Sequence, residues 1–215
     1  MAEKTDVLGY WNRYYSSKES SKILPPSQFA SFLIGEIPES SVLVDIGCGS
    51  GRDAFFFAQY GHDVIGIDGS ISAIENCKER AEKEKLNAWF LQGNICDSAL
   101  TSRMLEIAPF TRAKHLTFYA RFFLHAITNE AEDQLISFFQ QLGKKDSILA
   151  LEFRTHKDAT LPKSTETHFR RFVDPVELFQ KIGKLGLHVA YFVEGFGFAK
   201  RGLDDAHIAR FIIRK

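Results

Sequence analysis

Two carboxylates, three glycines and a histidine carry most of the chemistry available to this chain. Asp45 stands inside the end of the apolar run Val42 to Ile46, and Gly47, Gly49 and Gly51 follow before a helical pattern begins. Strand, glycine turn and helix in that order set backbone N–H groups and the positive end of a helix dipole against whatever lies beyond the strand. That arrangement suits an anionic group of a nucleotide-like cofactor. Glycines alone are unspecific, because any tight turn uses them. Two neighbours sharpen the signal. A dinucleotide fingerprint needs its last glycine at position 52, where this chain has Arg52. Asp45 would repel a pyrophosphate but accept hydrogen bonds from an ammonium, so the turn reads as built for a cofactor that carries an amino acid.

A second apolar run ends in another acid, Asp68, within VIGIDGS. Together with DIGCGSGR, this resembles the first two motifs of the class I S-adenosylmethionine-dependent methyltransferases, and the resemblance runs over most of the chain. It implies an α/β, Rossmann-like three-layer sandwich whose seven-stranded sheet is mostly parallel, with an antiparallel final strand. It also implies S-adenosyl-L-methionine as cofactor. Asp45 would hold the amino group, Gly47, Gly49 and Gly51 would let the backbone approach, and Asp68 would take the ribose hydroxyls. Asp68 follows the first glycine by about twenty residues, the offset at which a strand-end acid meets a ribose. Arg52, Gly69, Ser70 and Tyr119 complete the same rim. Capping of the next helix falls to Ser72 with Glu75, which leaves Asp68 to the ribose.

The elements that must position these residues follow in chain order. Thr5 to Ser17 carries YWNRYY, an amphipathic aromatic segment that either packs its rings on the domain or, as in the family it resembles, folds over the cofactor as a lid. Trp11 and Tyr15 share a face there and suit a sulfonium cation, while Tyr14 points partly away. Lys18 to Gln28 reads as a loop, so residues 1–36 form a lid helix and loop ahead of a core domain at 37–215. Asp53 to Tyr60 is helix, His62 to Asp68 strand, Ser72 to Lys85 a helix with a solvated charged face, and Ala88 to Gln92 strand. The loop after it places Asn94 or Asp97, with Ile95, beside the adenine by resemblance; Asp97 could equally cap the following helix.

His115 to Tyr119 is the fourth strand, and ARFFLHAI at its end is where acceptor and methyl group should meet. If Arg121 to Ile127 makes a helical turn, Arg121 and His125 share a face. His125 is then either a general base or a packed structural histidine. Asn129 to Leu142 reads as helix and Ser147 to Glu152 as strand. Phe153 to Phe172 lacks a clean period and gathers Arg154, His156, Lys157, Lys163, His168, Arg170 and Arg171. Near residues 153–173 this predicts an acceptor-binding loop that favours an anion, with Arg171 joining Arg121 and His125 as catalytic groups; the plainer alternative is a set of solvated charges. Asp174-Pro175-Val176-Glu177 starts a helix, and Leu187 to Glu194 and His207 to Ile213 close the sheet.

With 215 residues, 27 Lys and Arg against 27 Asp and Glu, and a formal charge of zero, the chain reads as one domain without a broad grip on nucleic acid or membrane. Cys48, Cys77 and Cys96 show no CxxC spacing, and no metal site is expected. The absence of a signal peptide or spanning segment makes a cytoplasmic location the default. The end of the fourth strand lacks the motifs of nucleobase, arginine and catechol methyltransferases. The expected acceptor is therefore a small anionic or hydroxyl-bearing metabolite, natural product or sugar. A tellurite- or thiol-detoxifying methyltransferase and a non-catalytic cofactor-binding partner are the alternatives, and Arg52 and Asp45 oppose a nicotinamide dehydrogenase. Nothing in the sequence sets the oligomeric state.

Overall fold

The computed structural model describes residues 7–16, 24–163, 169–200, 202 and 204–215. One sheet organises it, in the order β3 (Ala88–Gln92), β2 (Asp63–Asp68), β1 (Ser41–Ile46), β4 (His115–Arg121), β5 (Ile148–Arg154), β7 (Ile208–Arg214), β6 (His188–Gly195). All neighbours pair in parallel except β7, which runs antiparallel to both β5 and β6. β1 and β5 are buried at every position. That is why they read as continuous apolar runs rather than alternating ones: helices cover both faces of the sheet.

On one face lie α5 (Ser98–Leu105), α6 (Ala108–Arg112), α7 (Asn129–Leu142) and α8 (Pro175–Lys184), whose Met104, Phe110, Leu135 and Ile182 join Val42, Val44 and Ile46 of β1 in one cluster. On the other lie α2 (Gln28–Leu33), α3 (Arg52–Gln59) and α4 (Ile71–Glu84), where Phe29, Leu33, Phe57 and Ile74 pack on Leu43. α2 was not foreseen: Ser27 caps it by accepting from the Ala30 N–H, and Phe29 and Leu33 are fully buried, so this stretch is core and not only lid or loop. α1 (Val7–Tyr15) leans on α4 through Ser16 Oγ and Ser72 Oγ, 3.0 Å apart. Residues 1–6, 17–23, 164–168, 201 and 203, which include His168 and the ends of the expected lid, lie outside the described residues.

The sequence order of the strands reverses between β1 and β4, and the helices that follow these two strands, α3 and α7, pack on opposite faces. The crevice beyond the carboxyl ends of the two strands is where ligands sit in open α/β sheets. Across β4, β5 and β7 the register sets Arg121 beside Glu152 and Glu152 beside Arg210. Glu152 is fully buried; its Oε1 accepts from Arg121 Nε at 2.8 Å and its Oε2 from Arg210 Nε at 2.7 Å. Removing this shared anion strands two guanidiniums with little water, so Glu152→Ala is expected to lower the unfolding free energy by about 3–5 kcal/mol. Urea unfolding measures it, and a loss below 1 kcal/mol would show the cluster to be solvated.

Candidate functional site

At the end of β1 the chain turns through Gly47, Gly49 and Gly51, with φ of 74°, 53° and 73°. The Gly47 and Cys48 N–H groups both donate to Ile67 O, at 2.8 and 3.1 Å, and clamp the turn to β2. Gly49 shows why glycine is required: besides its positive φ, a Cβ there would stand 2.3 Å from the Tyr15 hydroxyl. Its N–H donates to Asp68 Oδ2 at 2.9 Å, while Asp68 Oδ1 accepts from the Ser70 N–H at 2.8 Å. Asp68 is thus the bracket between the two motif strands. Burial raises its proton affinity, and the N–H groups of Ser70, Gly49 and Gly69 pull it back toward the ionised form. Ionised, it has lone pairs left for further donors.

The helix cap differs from expectation. Ser70, not Ser72, caps α4, its Oγ accepting from the Ala73 N–H at 3.3 Å. Local spacing favoured Ser72, but its hydroxyl is turned to Ser16, just past the end of α1.

Asp45 lies in the wall of a cavity of about 680 Å³ that opens beyond the strand ends. It is 3% exposed, and burial together with the neighbouring Asp53 and Asp68 carboxylates pushes its pKa well above the usual range, only partly offset by Arg121. Asp53 was missed from the sequence. It accepts from the Ser27 N–H at 2.8 Å, from Ser27 Oγ at 2.8 Å and from the Tyr119 hydroxyl at 2.7 Å. An acid in the first turn of α3 is an ordinary helix-start signal, and its partners stand 26 and 66 residues away, so nothing local announces this lock. Tyr119 therefore lines the cavity with its hydroxyl engaged by Asp53 and Ser27. Arg52 lines it too, with Nε donating to Pro25 O at 2.6 Å and tying the rim to α3.

Over the glycine turn sits the aromatic face of α1. Trp11 and Tyr15 stack with centroids 5.9 Å apart, and Tyr14 meets both edge-on, so it joins the cavity wall where the helical spacing turned it partly away. Burial and the nearby Asp68 carboxylate raise the Tyr15 hydroxyl well above its usual range. Gly69, Ser70, Asn94 and Ile95 close the far side. Of the two polar side chains weighed for that loop, Asn94 lines the cavity, its Oδ1 holding the Cys96 N–H at 3.0 Å, whereas Asp97 is the N-cap of α5. Cys48 and Cys77 are buried and Cys96 is exposed; among the described residues no group of His, Cys, Asp and Glu could hold a metal.

Beyond β4 the backbone departs from the expected helical turn. Arg121 is the last residue of the strand, Phe122 takes φ of 54°, and Leu124–Ala126 is a single 3-10 turn. A left-handed phenylalanine costs about 1–3 kcal/mol, and here its N–H is held by Glu152 O at 2.7 Å. Arg121 and His125 still both face the cavity, though from different elements. His125 Nδ1 accepts from the Arg154 N–H at 3.4 Å, which assigns the ring proton to Nε2.

Arg171 stands outside the residues that line the cavity: its guanidinium donates to the Leu124 and Ile127 carbonyls and pairs with Glu132, and its N–H donates to His125 O at 2.8 Å. It braces the loop that carries His125. Of the other loop cations, Lys157 pairs with Glu194 and Lys163 with Asp158. Arg154 lines the cavity but carries Asp158 and Asp204 at 2.7 Å each, and Arg170 lines it beside Tyr10.

Residues 43–142 match the family of methyltransferase domains. Among solved structures, an S-adenosylmethionine-dependent methyltransferase from Anabaena variabilis has the same fold, with a TM-score of 0.68 at 17% identity over 100% of this chain and 98% of that one. A carboxy-S-adenosyl-L-methionine synthase of Campylobacter jejuni is 25% identical over 60% of this chain and 51% of its own length. A 23S rRNA (uracil(1939)-C(5))-methyltransferase of Vesicomyosocius okutanii is 34% identical over 36% of this chain and 18% of its own. The chain thus spans about half or less of these curated relatives.

Because the folded Asp45 carboxyl binds its proton more tightly than in the unfolded chain, its contribution to stability is full below the ordinary carboxylate range and is lost as pH rises through its folded pKa. Asp45→Asn is therefore expected to stabilise the ligand-free protein at pH 7, to flatten the decline above that range, and to weaken binding of S-adenosylhomocysteine. Thermal melts across pH with calorimetric titration check both; unchanged affinity would remove Asp45 from the site.

Proposed function

We propose that this chain, which carries a class I S-adenosylmethionine-dependent methyltransferase domain, transfers the methyl group to a small anionic or hydroxyl-bearing organic acceptor. One observation carries the reading: the cavity wall holds both signs of charge. Asp45 and Asp68 line it from β1 and β2, and Arg121 and Arg154 from the ends of β4 and β5, with Arg121 near enough to Asp45 to offset part of its raised proton affinity. The carboxylates suit a cationic, amine-bearing nucleoside, and the guanidiniums suit an acceptor with negative charge.

The residues present fit that cofactor. Asp45 is a carboxyl whose ionisation burial opposes, so a bound ammonium would restore it; Asp68 is an acceptor set at a strand tip, and of the turn glycines Gly47 lines the cavity while Gly49 and Gly51 pack against Tyr15 and Phe55. S-adenosylmethionine, when bound, supplies a methyl group already activated on a sulfonium. What remains for the protein is orientation and exclusion of water, which together are worth several kcal/mol. Trp11 and Tyr15 would face the positive charge with their rings. His125, with its proton on Nε2, serves better as a donor that orients the acceptor's oxygen than as a base. The rings of Tyr10, Tyr14 and Phe122 in the wall favour an organic acceptor over an inorganic oxyanion such as tellurite.

Incubation with methyl-labelled cofactor and a panel of acidic metabolites should yield S-adenosylhomocysteine and a labelled product; binding without turnover on any acceptor would favour the non-catalytic alternative. Once an acceptor is found, His125→Ala should lower kcat by about 10²- to 10³-fold with a smaller change in KM. His125→Gln, which keeps a donor, should recover part of that loss. A glutamine variant as slow as the alanine one, with a single ionisation near neutral pH in the wild-type profile, would restore the general-base role.

A further inference from the structure

The two arginines that line the cavity from the ends of β4 and β5 differ in what they leave for a ligand. Arg154 commits both ends of its fork to carboxylates, Nη1 to Asp158 Oδ2 and Nη2 to Asp204 Oδ2, at 2.7 Å each. Arg121 gives Glu152 Oε1 its Nε alone, at 2.8 Å, and among the described residues neither of its Nη atoms meets a hydrogen-bond acceptor or a carboxylate. Those Nη atoms carry most of the donors of a guanidinium, on a side chain that is 18% exposed in the cavity wall.

The direction of that fork is fixed. Strand register sets Arg121 beside Glu152 of β5, so the bond through Nε draws the head away from β1 and the glycine turn. The guanidinium lies over the Phe122 ring, 4.4 Å from its centroid, and the same ring meets the Arg154 guanidinium at 5.6 Å and the His125 ring edge-on at 5.3 Å. Phe122 is held in turn, its left-handed backbone donating its N–H to Glu152 O at 2.7 Å. One buried residue, Glu152, thus orients the fork twice, through its carboxylate and through its carbonyl. A donor pair set in advance binds a planar anion with little further ordering.

Charge selects the anion. Glu152 is one carboxylate shared by Arg121 and Arg210, which leaves one positive charge in that cluster. Two Nη atoms side by side match the two oxygens of a carboxylate. The Asp45 and Asp53 carboxylates act on the same guanidinium, so the second negative charge of a phosphate monoester is disfavoured there.

We infer that the methyl acceptor is a carboxylic acid whose carboxylate is received end-on by the two Nη atoms of Arg121. This rests on the methyl-transfer reading, and the test separates the two. Protein saturated with S-adenosylhomocysteine is titrated calorimetrically with matched probes on two carbon skeletons: hexanoate, hexanamide and hexyl phosphate, then benzoate, benzamide and phenyl phosphate. On at least one skeleton the acid should bind about tenfold or more tighter than both its amide and its phosphate. Arg121→Gln should remove that preference while S-adenosylhomocysteine still binds, and Arg121→Lys, a point charge without a fork, should keep part of it. Thermal melts show which variants are folded; if the single glutamine variant is not, Arg121→Gln combined with Glu152→Gln removes the charge from both partners and takes its place. No acid that binds tighter than its amide and its phosphate, or a folded glutamine variant that keeps the preference, would overturn the inference. So would a folded glutamine variant that no longer binds S-adenosylhomocysteine, since Arg121 would then hold the carboxylate of the cofactor itself. Failure of the wild-type protein to bind S-adenosylhomocysteine would instead overturn the reading beneath it.

Discussion

A single hydrogen bond, from the Gly49 N–H to the Asp68 carboxylate at 2.9 Å, joins the two halves of the proposed cofactor bed. It links the turn after β1 to the tip of β2, at a residue whose φ is 53°. Ile67 O holds the same turn through two more N–H groups. The shape of the site thus follows from sheet register. β1 and β2 pair through Ile46 and Ile67, which puts the acids Asp45 and Asp68 one step either side of that last pair.

Electrostatics then gives the cavity its character. Burial raises the proton affinity of Asp45 and Asp68, and Asp45 is raised further by the nearby Asp53 and Asp68 carboxylates, which costs the ligand-free protein stability. Such strain is tolerable in a binding site because a cationic ligand relieves it. Asp53 accepts from three donors and so anchors Ser27 and the start of α2 against β4. Glu152, shared between Arg121 and Arg210, holds the Arg121 guanidinium in the wall. The acids suit a sulfonium and the arginines an anion, which is the basis of the proposed pairing of a cationic cofactor with an anionic acceptor.

How much of this was legible in the sequence depended on how local the cause is. The strands at Val42 to Ile46 and Ala88 to Gln92, the cap at Asp174 and the glycine turn follow from short-range patterning, and the structure has them within a residue or two. The helix at Gln28–Leu33 escaped notice because its start lies beside two prolines and its partner, Asp53, is distant. Composition counts the charge on Arg171 but cannot see that Glu132, in the first turn of α7 and 39 residues upstream, receives its guanidinium. Ser72 lost the cap to Ser70 because Ser16, just past the end of α1, and not the helix itself, claimed its hydroxyl. In each case a long-range contact outbid a local preference.

The proposition that two carboxylates at neighbouring strand tips grip opposite ends of a charged nucleoside is tested most directly by a crystal structure of the protein with S-adenosylhomocysteine. It should show the ribose hydroxyls on Asp68 and the amino group directed to Asp45, with the sulfur facing Arg121 and His125. A ligand seated elsewhere, or one that touches neither carboxylate, would contradict the account.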